Sequence, residues 1–426
     1  MSTGQPEERK FDVVKFILLV MIGGVVFLLP YMRLIYYDEF LEFLNLTPLQ
    51  FGAVLASYGT ASTIGTFFSG ILADRYSHKW LLVISVFVTG LGGLFLLTQP
   101  SYYAFLGIYL LWGLSITFTY NSAFNKSIRY TGNASQQGKL FGSINGTRKL
   151  LTWLAAFGGA GVFAYFSTES RIEGFTRVIW YYSLLYLVTG ILIIFLWKKD
   201  KPLADEEKWK IKDSIAVFKH PATWFLGFII YGVYTMSRCT DLVSPYMTQV
   251  LQIPPATSAF LNTIRLYVFP FIGGILIGYL LDRFQNKIRV CQISVAIACI
   301  LFVVITTIPT QGEVWHMVFF WVLGVSIIAF WGIYGTIFSL METINIPKKI
   351  TGSIIGVAIS IGYLPDITIN YLSNYLADTY GFEQATHYVL ITGAVHGIIA
   401  IILFYFFNKY LIRLKGAETE PQKKAV

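Results

Sequence analysis

Long apolar stretches set what this chain can become. Twelve of them occupy approximately residues 14–36, 49–73, 80–99, 102–125, 138–166, 175–197, 221–249, 257–281, 288–308, 314–344, 350–377 and 385–408. At about 1.5 Å per helical residue, runs of about 20 residues cross a hydrocarbon layer of roughly 30 Å. Lipid offers no hydrogen bonds to the backbone, so each run must satisfy its own polar groups as a helix. The chain is 55% apolar and only 13% charged, against roughly 25% charged in soluble domains. The expected fold is therefore an all-α membrane protein with twelve transmembrane helices.

The net charge of +9 is a topological device. Placing the N-terminus in the cytoplasm puts most of the 32 Lys and Arg in cytoplasmic segments, with only Arg171 and Arg177 in external loops. That asymmetry predicts both termini inside, in a bacterial inner (plasma) membrane, and argues against a nucleic-acid partner. Cys239, Cys291 and Cys299 all fall inside apolar stretches and read as small fillers, without metal-ligand spacing. No nucleotide-binding glycine loop, metal cluster or nucleophile constellation is present, so no cofactor and no enzymatic activity are expected.

The chain repeats itself. Gly70-Ile-Leu-Ala-Asp74-Arg75-Tyr-Ser-His-Lys79 recurs, almost half the chain later, as Gly278-Tyr-Leu-Leu-Asp282-Arg283-Phe-Gln-Asn-Lys287. A second echo at nearly the same offset relates Gly142-Ser-Ile-Asn-Gly146 to Gly352-Ser-Ile-Ile-Gly356. Duplication of a many-helix membrane unit is the mark of a transporter. The expected domains are a six-helix bundle over 1–197, a cytoplasmic central loop over 198–220, a second bundle over 221–411 and a tail over 412–426. Within the loop, residues 206–213 form an amphipathic piece that either lies on the inner membrane surface or is a solvated linker. Glycines such as Gly90, Gly92, Gly93, Gly158 and Gly159 predict close helix packing, and Pro30, Pro245, Pro270 and Pro365 predict kinks.

These residues resemble the major facilitator superfamily. Gly70, Leu72, Asp74, Arg75 and Lys79 match that family's signature between its second and third helices, with Ser77 and His78 departing. Gly278, Leu280, Asp282, Arg283 and Lys287 match in the second half, with Gln285 and Asn286 departing. The resemblance covers nearly the whole chain and implies two pseudo-symmetric six-helix bundles around a cavity that opens alternately to each side. It also implies that Asp74, Arg75, Asp282 and Arg283 gate the cytoplasmic side. Two further stretches, Gly138–Lys149 and Ile361–Asp366, are similar to a bacterial branch near the organophosphate and sugar-phosphate antiporters. In that branch, arginines from the first and seventh helices hold phosphate, which points to Arg33 and Arg238.

Ionisable residues at bilayer depth are expensive and mark function. Five cations qualify, Arg33, Arg148, Lys149, Arg238 and Arg265, against two comparably deep acids, Asp241 and Asp366. An anionic substrate corrects this imbalance. Arg148 lies about 15 Å into its helix and Arg265 about 12 Å into its own, both near the midplane. Arg33 either binds substrate, snorkels outward or pairs with Asp38. Arg238 and Asp241, three residues apart, either neutralise each other or act separately. Asp366, behind Pro365, is the first candidate for proton coupling and Asp241 the second; the alternative is a fixed counterion. Tyr36, Asn121 and Tyr234 are candidates to complete the substrate site.

The leading expectation is a monomeric secondary transporter of a small phosphorylated or carboxylated anion, driven by proton symport or exchange for another anion. Its partners are that substrate, protons or a counter-transported anion, and the lipid bilayer. The alternatives are proton-driven movement of a neutral or cationic solute, including drug export, and a transporter-like membrane sensor.

Overall fold

The structure, a computed structural model, describes residues 11–129, 131, 137–198, 217–218, 220–337 and 348–423. The described residues form helices and no strand. The helices follow the twelve apolar stretches in order. We label them α1 (Val13–Val25, Leu28–Tyr31 and a 3₁₀ turn Met32–Leu34), α2 (Pro48–Arg75), α3 (His78–Leu96) and α4 (Tyr102–Leu114, Ser115–Tyr120 and Asn121–Arg129). Next come α5 (Gln137–Phe166), α6 (Arg171–Leu196), α7 (Pro221–Arg238, Val243–Pro245 and Tyr246–Val250) and α8 (Pro255–Thr263, Ile264–Val268 and Phe269–Arg283). The last are α9 (Lys287–Ile305), α10 (Glu313–Thr336), α11 (Lys348–Gly362 and residues 365–380) and α12 (residues 382–423). Gly381, at φ 78°, separates α11 from α12 in a conformation that favours glycine. By length and composition alone, nine helices among the described residues can cross a membrane, the last running unbroken by this measure through α11 and α12.

Local sequence explains several helix ends. At the start of α2, Gln50 N–H donates to Thr47 Oγ1 (3.2 Å) and Thr47 N–H to Gln50 Oε1 (3.0 Å), a reciprocal cap with Pro48 at the first helical position. Asn286 caps α9, its Oδ1 accepting from Arg289 N–H at 3.0 Å. The proline kinks take particular forms. α1 breaks after Val25 and tightens into the 3₁₀ turn beyond Pro30. α7 breaks after Arg238 and resumes as a wide π-turn after Pro245. α11 breaks at Tyr363–Leu364, just before Pro365.

The chain resolves into two compact units. The first holds Met1–Leu46 and Thr60–Trp209, the second Thr47–Gly59 and Lys210–Val426. The central loop, with its amphipathic piece at 206–213, lies almost wholly outside the described residues. In the first unit α3 packs on α6, α1 on α5, and α5 on α6. Glycine permits these approaches: a Cβ on Gly90 would stand 2.9 Å from Tyr186 Cβ, and one on Gly24 2.8 Å from Leu151 Cδ2. In the second unit α7 packs on α11, α8 on α10, and α9 on α10 and α12. The opening half of α2 belongs to this unit: a Cβ on Gly59 would meet the Asp366 backbone at 2.6 Å, and one on Gly52 the Asn374 side chain at 2.6 Å. The sequence offered no sign that one helix is shared in this way.

Candidate functional site

In the first unit, Arg33 sits on the 3₁₀ turn that ends α1 and is 1% exposed. None of its three guanidinium nitrogens has a hydrogen-bond partner among the described residues. Its guanidinium lies 5.5 Å from the Tyr31 ring centre and near the Tyr109 side chain. Arg33 therefore neither snorkels to a surface nor forms an ion pair within the described residues. A guanidinium carries five donors and a fixed charge, so burying it unmatched is costly. Arg148, on α5, is half-buried: its Nε donates to Asn145 Oδ1 at 2.8 Å and its guanidinium lies 5.5 Å from the Phe124 ring centre. The first copy of the second sequence echo thus helps place charge, since Asn145 lies inside Gly142–Gly146. The α1 backbone leaves room for Arg148 only because Gly23 has no side chain; a Cβ there would come within 2.7 Å of Arg148 Cδ.

The remaining first-unit candidates divide. Tyr36 is fully buried against Phe163 (5.0 Å between ring centres) and Phe175 (6.1 Å). That is an aromatic packing position. Asn121 is half-buried and follows directly on the π-turn Ser115–Tyr120, whose last residue stacks on Phe124 at 4.9 Å. Phe124 is thus shared by Tyr120 and Arg148. π-Turns inside helices recur at functional sites because they re-aim side chains. Lys149 is exposed and joins no ion pair among the described residues.

The second unit has a closed network. Arg238 ends the first segment of α7 and is 4% exposed. Its Nη1 donates to Asp241 Oδ2 at 3.1 Å, its Nη2 to Ser237 Oγ at 3.3 Å, and its Nε stands 3.7 Å from Asp366 Oδ1. Tyr234 Oη donates to the Asp366 carboxylate, at 3.0 and 3.1 Å from its two oxygens, and its ring faces Arg238 at 5.0 Å. Asp366 lies in the first turn after Pro365, where the positive end of the helix dipole favours a carboxylate. Arg265 occupies the π-turn of α8 and is 1% exposed; its Nε donates to Asn262 Oδ1 and its Nη1 to the Thr240 carbonyl, each at 2.8 Å. Tyr363 and Tyr334 adjoin Tyr234, with ring centres at 4.9 and 5.6 Å, and Tyr334 Oη donates to Tyr363 Oη at 2.7 Å. Tyr334 carries no sequence signal that separates it from the other tyrosines.

The pairing of the deep arginines separates the two units. In the second, Arg238 and Arg265 stand with Asp241 and Asp366, two cations with two acids. In the first, Arg33 and Arg148 have no carboxylate partner among the described residues.

The repeated signatures hold equivalent places. α2 ends at Arg75 and α8 ends at Arg283, so each Asp–Arg pair closes its helix. Asp282 and Arg283 are exposed, and Arg283 Nη1 donates to Tyr279 Oη at 3.5 Å. The side chains of Asp74 and Arg75 lie outside the described set. Lys79 has a defined role: its ammonium donates to the Ile194 and Trp197 carbonyls, at 2.7 and 3.1 Å, at the negative end of α6.

This architecture has clear relatives. Residues 13–368 match the family model of the Major Facilitator Superfamily. The inner membrane protein YqcE of Escherichia coli K12 is 26% identical over 411 residues, covering 94% of each chain. Among solved structures, the inward-facing, unoccupied form of a bacterial homologue of the human lysosomal transporter Spinster superposes with a TM-score of 0.75. It is 11% identical and covers 95% of this chain and 99% of its own. The nucleoside transporter NupG superposes with a TM-score of 0.69 at 15% identity, covering 93% and 98%. At such identities the likeness speaks for the fold. The chain belongs to the major facilitator superfamily. It is an integral membrane transporter, not an enzyme, and carries a small-molecule substrate across the bilayer by alternating access.

Proposed function

We propose that the substrate is a small organic anion, phosphorylated or carboxylated, moved by proton symport or by exchange for another anion. The observation that carries this reading is Arg33, 1% exposed with three nitrogens lacking hydrogen-bond partners among the described residues. A planar fork of donors is suited to a bidentate grip on carboxylate or phosphate, and an anion would supply the missing partner. Arg148, half-buried, is held through Nε to Asn145 and also faces the Tyr120 hydroxyl, and its planar fork is suited to the same purpose. Arg238 and Arg265 are matched by Asp241, Asp366 and the Thr240 carbonyl, so in this reading they organise the second unit, with Tyr234 and Asp366 linked to Arg238. Asp74, Arg75, Asp282 and Arg283 serve gating, and the protein works as a monomer in a bacterial inner membrane with both termini cytoplasmic.

A thermal-stability screen of the purified protein tests this. The panel comprises sugar phosphates, glycerol phosphate and dicarboxylates, with neutral and cationic analogues as controls. An anion is expected to raise the melting temperature of the wild type, with that shift lost in Arg33→Gln and reduced in Arg148→Gln. Stabilisation by neutral or cationic compounds alone would overturn the reading.

A further inference from the structure

The surface between Arg33 and Arg148 bears on more than the charge of the substrate. Arg148 crosses α1 at Gly23, where a Cβ would come within 2.7 Å of its Cδ, and Arg33 lies ten residues further along the chain. Ten helical residues set the two cations about 15 Å apart along α1. Gly23, Phe27 and Tyr31, spaced by four, share one face of that helix. This face therefore runs from one arginine to the other, with Arg148 laid against Gly23 and the Arg33 guanidinium 5.5 Å from the Tyr31 ring centre.

Over residues 18–40 every residue is buried except Met21, Phe27 and Tyr31, which are half-buried. The two rings are thus where this face of α1 is open. Phe27 meets Tyr31 edge-on at 5.7 Å and Tyr120 of α4 edge-on at 6.4 Å. Tyr120 stacks on Phe124 at 4.9 Å, and Phe124 lies 5.5 Å from the Arg148 guanidinium. A continuous chain of rings joins the two cations. Hydrogen-bonding side chains are scarce along it. From Gly23 to Pro30, α1 carries no side-chain donor or acceptor. On the π-turn of α4, the Thr117 and Thr119 hydroxyls donate back to the Gly113 and Ser115 carbonyls of their own helix. A polyol laid on this face would strip water from its hydroxyls and find few replacements, which is costly. A flat ring without hydroxyls avoids that cost and gains ring–ring contacts.

We propose that the substrate is an aromatic anion, its carboxylate or phosphate on Arg33 and its ring against Phe27 and Tyr31. This rests on the anion reading above and narrows it. Arg33 selects for charge, and Phe27 and Tyr31 determine specificity by selecting for a flat ring. Arg148 bounds the face at its other end.

Thermal-shift titrations of the purified full-length protein test this with two matched pairs. The probes are benzoate against cyclohexanecarboxylate, and phenyl phosphate against cyclohexyl phosphate. Within each pair the charged group and ring size are the same, and flatness differs. Apolar burial alone gives the aromatic member no advantage, because the saturated ring has at least as much apolar surface. The wild type should bind the aromatic member about three- to tenfold more tightly, the magnitude of a ring–ring contact. That preference should disappear in the double variant Phe27→Leu/Tyr31→Leu and persist in Tyr31→Phe, which keeps the ring. Binding of both members should be lost in Arg33→Gln. The wild-type comparison decides the matter even where the double variant does not fold. Equal affinities, or tighter binding of the saturated ring, overturn the aromatic class and leave the anion reading standing. Stabilisation by sugar phosphates, with neither aromatic anion active, has the same consequence. An aromatic preference that survives Phe27→Leu/Tyr31→Leu overturns the ring site on α1. Failure of every anion to stabilise the protein removes the anion reading and this one together.

Discussion

Two arginines of the same type have opposite surroundings. Arg238 is held by Asp241, Ser237 and Asp366, whereas Arg33 has no hydrogen-bond partner among the described residues. Spacing alone made the Arg238–Asp241 contact legible, because residues three apart share a helix face. The third member, Asp366, comes from α11 and no local rule reaches that far. Spacing also left Arg33 with three options, and burial separates them, since a residue 1% exposed does not snorkel. The network gives a ranking of substitutions. Asp366→Asn should destabilise the protein by about 3 kcal/mol, because it removes one partner of a buried charge. Tyr234→Phe should cost about 1 to 2 kcal/mol, the worth of a hydrogen bond to a charged acceptor. Unfolding midpoints of both variants check the order. Near-neutrality of Asp366→Asn would show that Asp366 carries its proton and is no counterion.

The helices were legible as apolar stretches, and their irregularities were not. Pro30, Pro245 and Pro365 mark breaks as expected, because each removes a backbone donor. The π-turn at Ile264–Val268, which holds Arg265, comes just before Pro270, the fourth proline expected to kink a helix. The π-turn at Ser115–Tyr120 has no proline near it and nothing in the local sequence announces it, although it ends beside the candidate Asn121. Glycine density correctly suggested close packing, but it is a property of position and not of type. A Cβ on Gly93 would run into Ser183 Oγ and come within 2.8 Å of Leu29 Cδ1, whereas one on Gly161 meets nothing within 4 Å. Gly93→Ala should therefore cost about 1 to 3 kcal/mol through overpacking. Gly161→Ala should be neutral or stabilising by up to about 1 kcal/mol through helix propensity. Thermal midpoints of the pair decide the matter, and equal losses would contradict the packing account.

At the scale of the whole molecule, duplication is written plainly in the sequence, while the pairing of deep charges is not. The repeat places Arg75 and Arg283 at the ends of equivalent helices, as two copies of one design require. An excess of cations over acids within the apolar stretches is countable from composition. Where the excess resides depends on which residues fold together. The structure gives the second unit two cations with two acids and leaves Arg33 and Arg148 of the first without carboxylate partners among the described residues. The superfamily accommodates many substrates on one fold, so the fold leaves the cargo open and the residues of the site must decide it.

Flux into proteoliposomes tests the central claim most directly. Wild type and Arg33→Gln, reconstituted at equal density, would be loaded with the same panel of labelled anionic, neutral and cationic compounds. The account predicts uptake of an organic anion by the wild type, reduced at least about tenfold in Arg33→Gln, equivalent to about 1.4 kcal/mol or more of lost interaction. Uptake of a neutral or cationic compound, undiminished in Arg33→Gln, would contradict it.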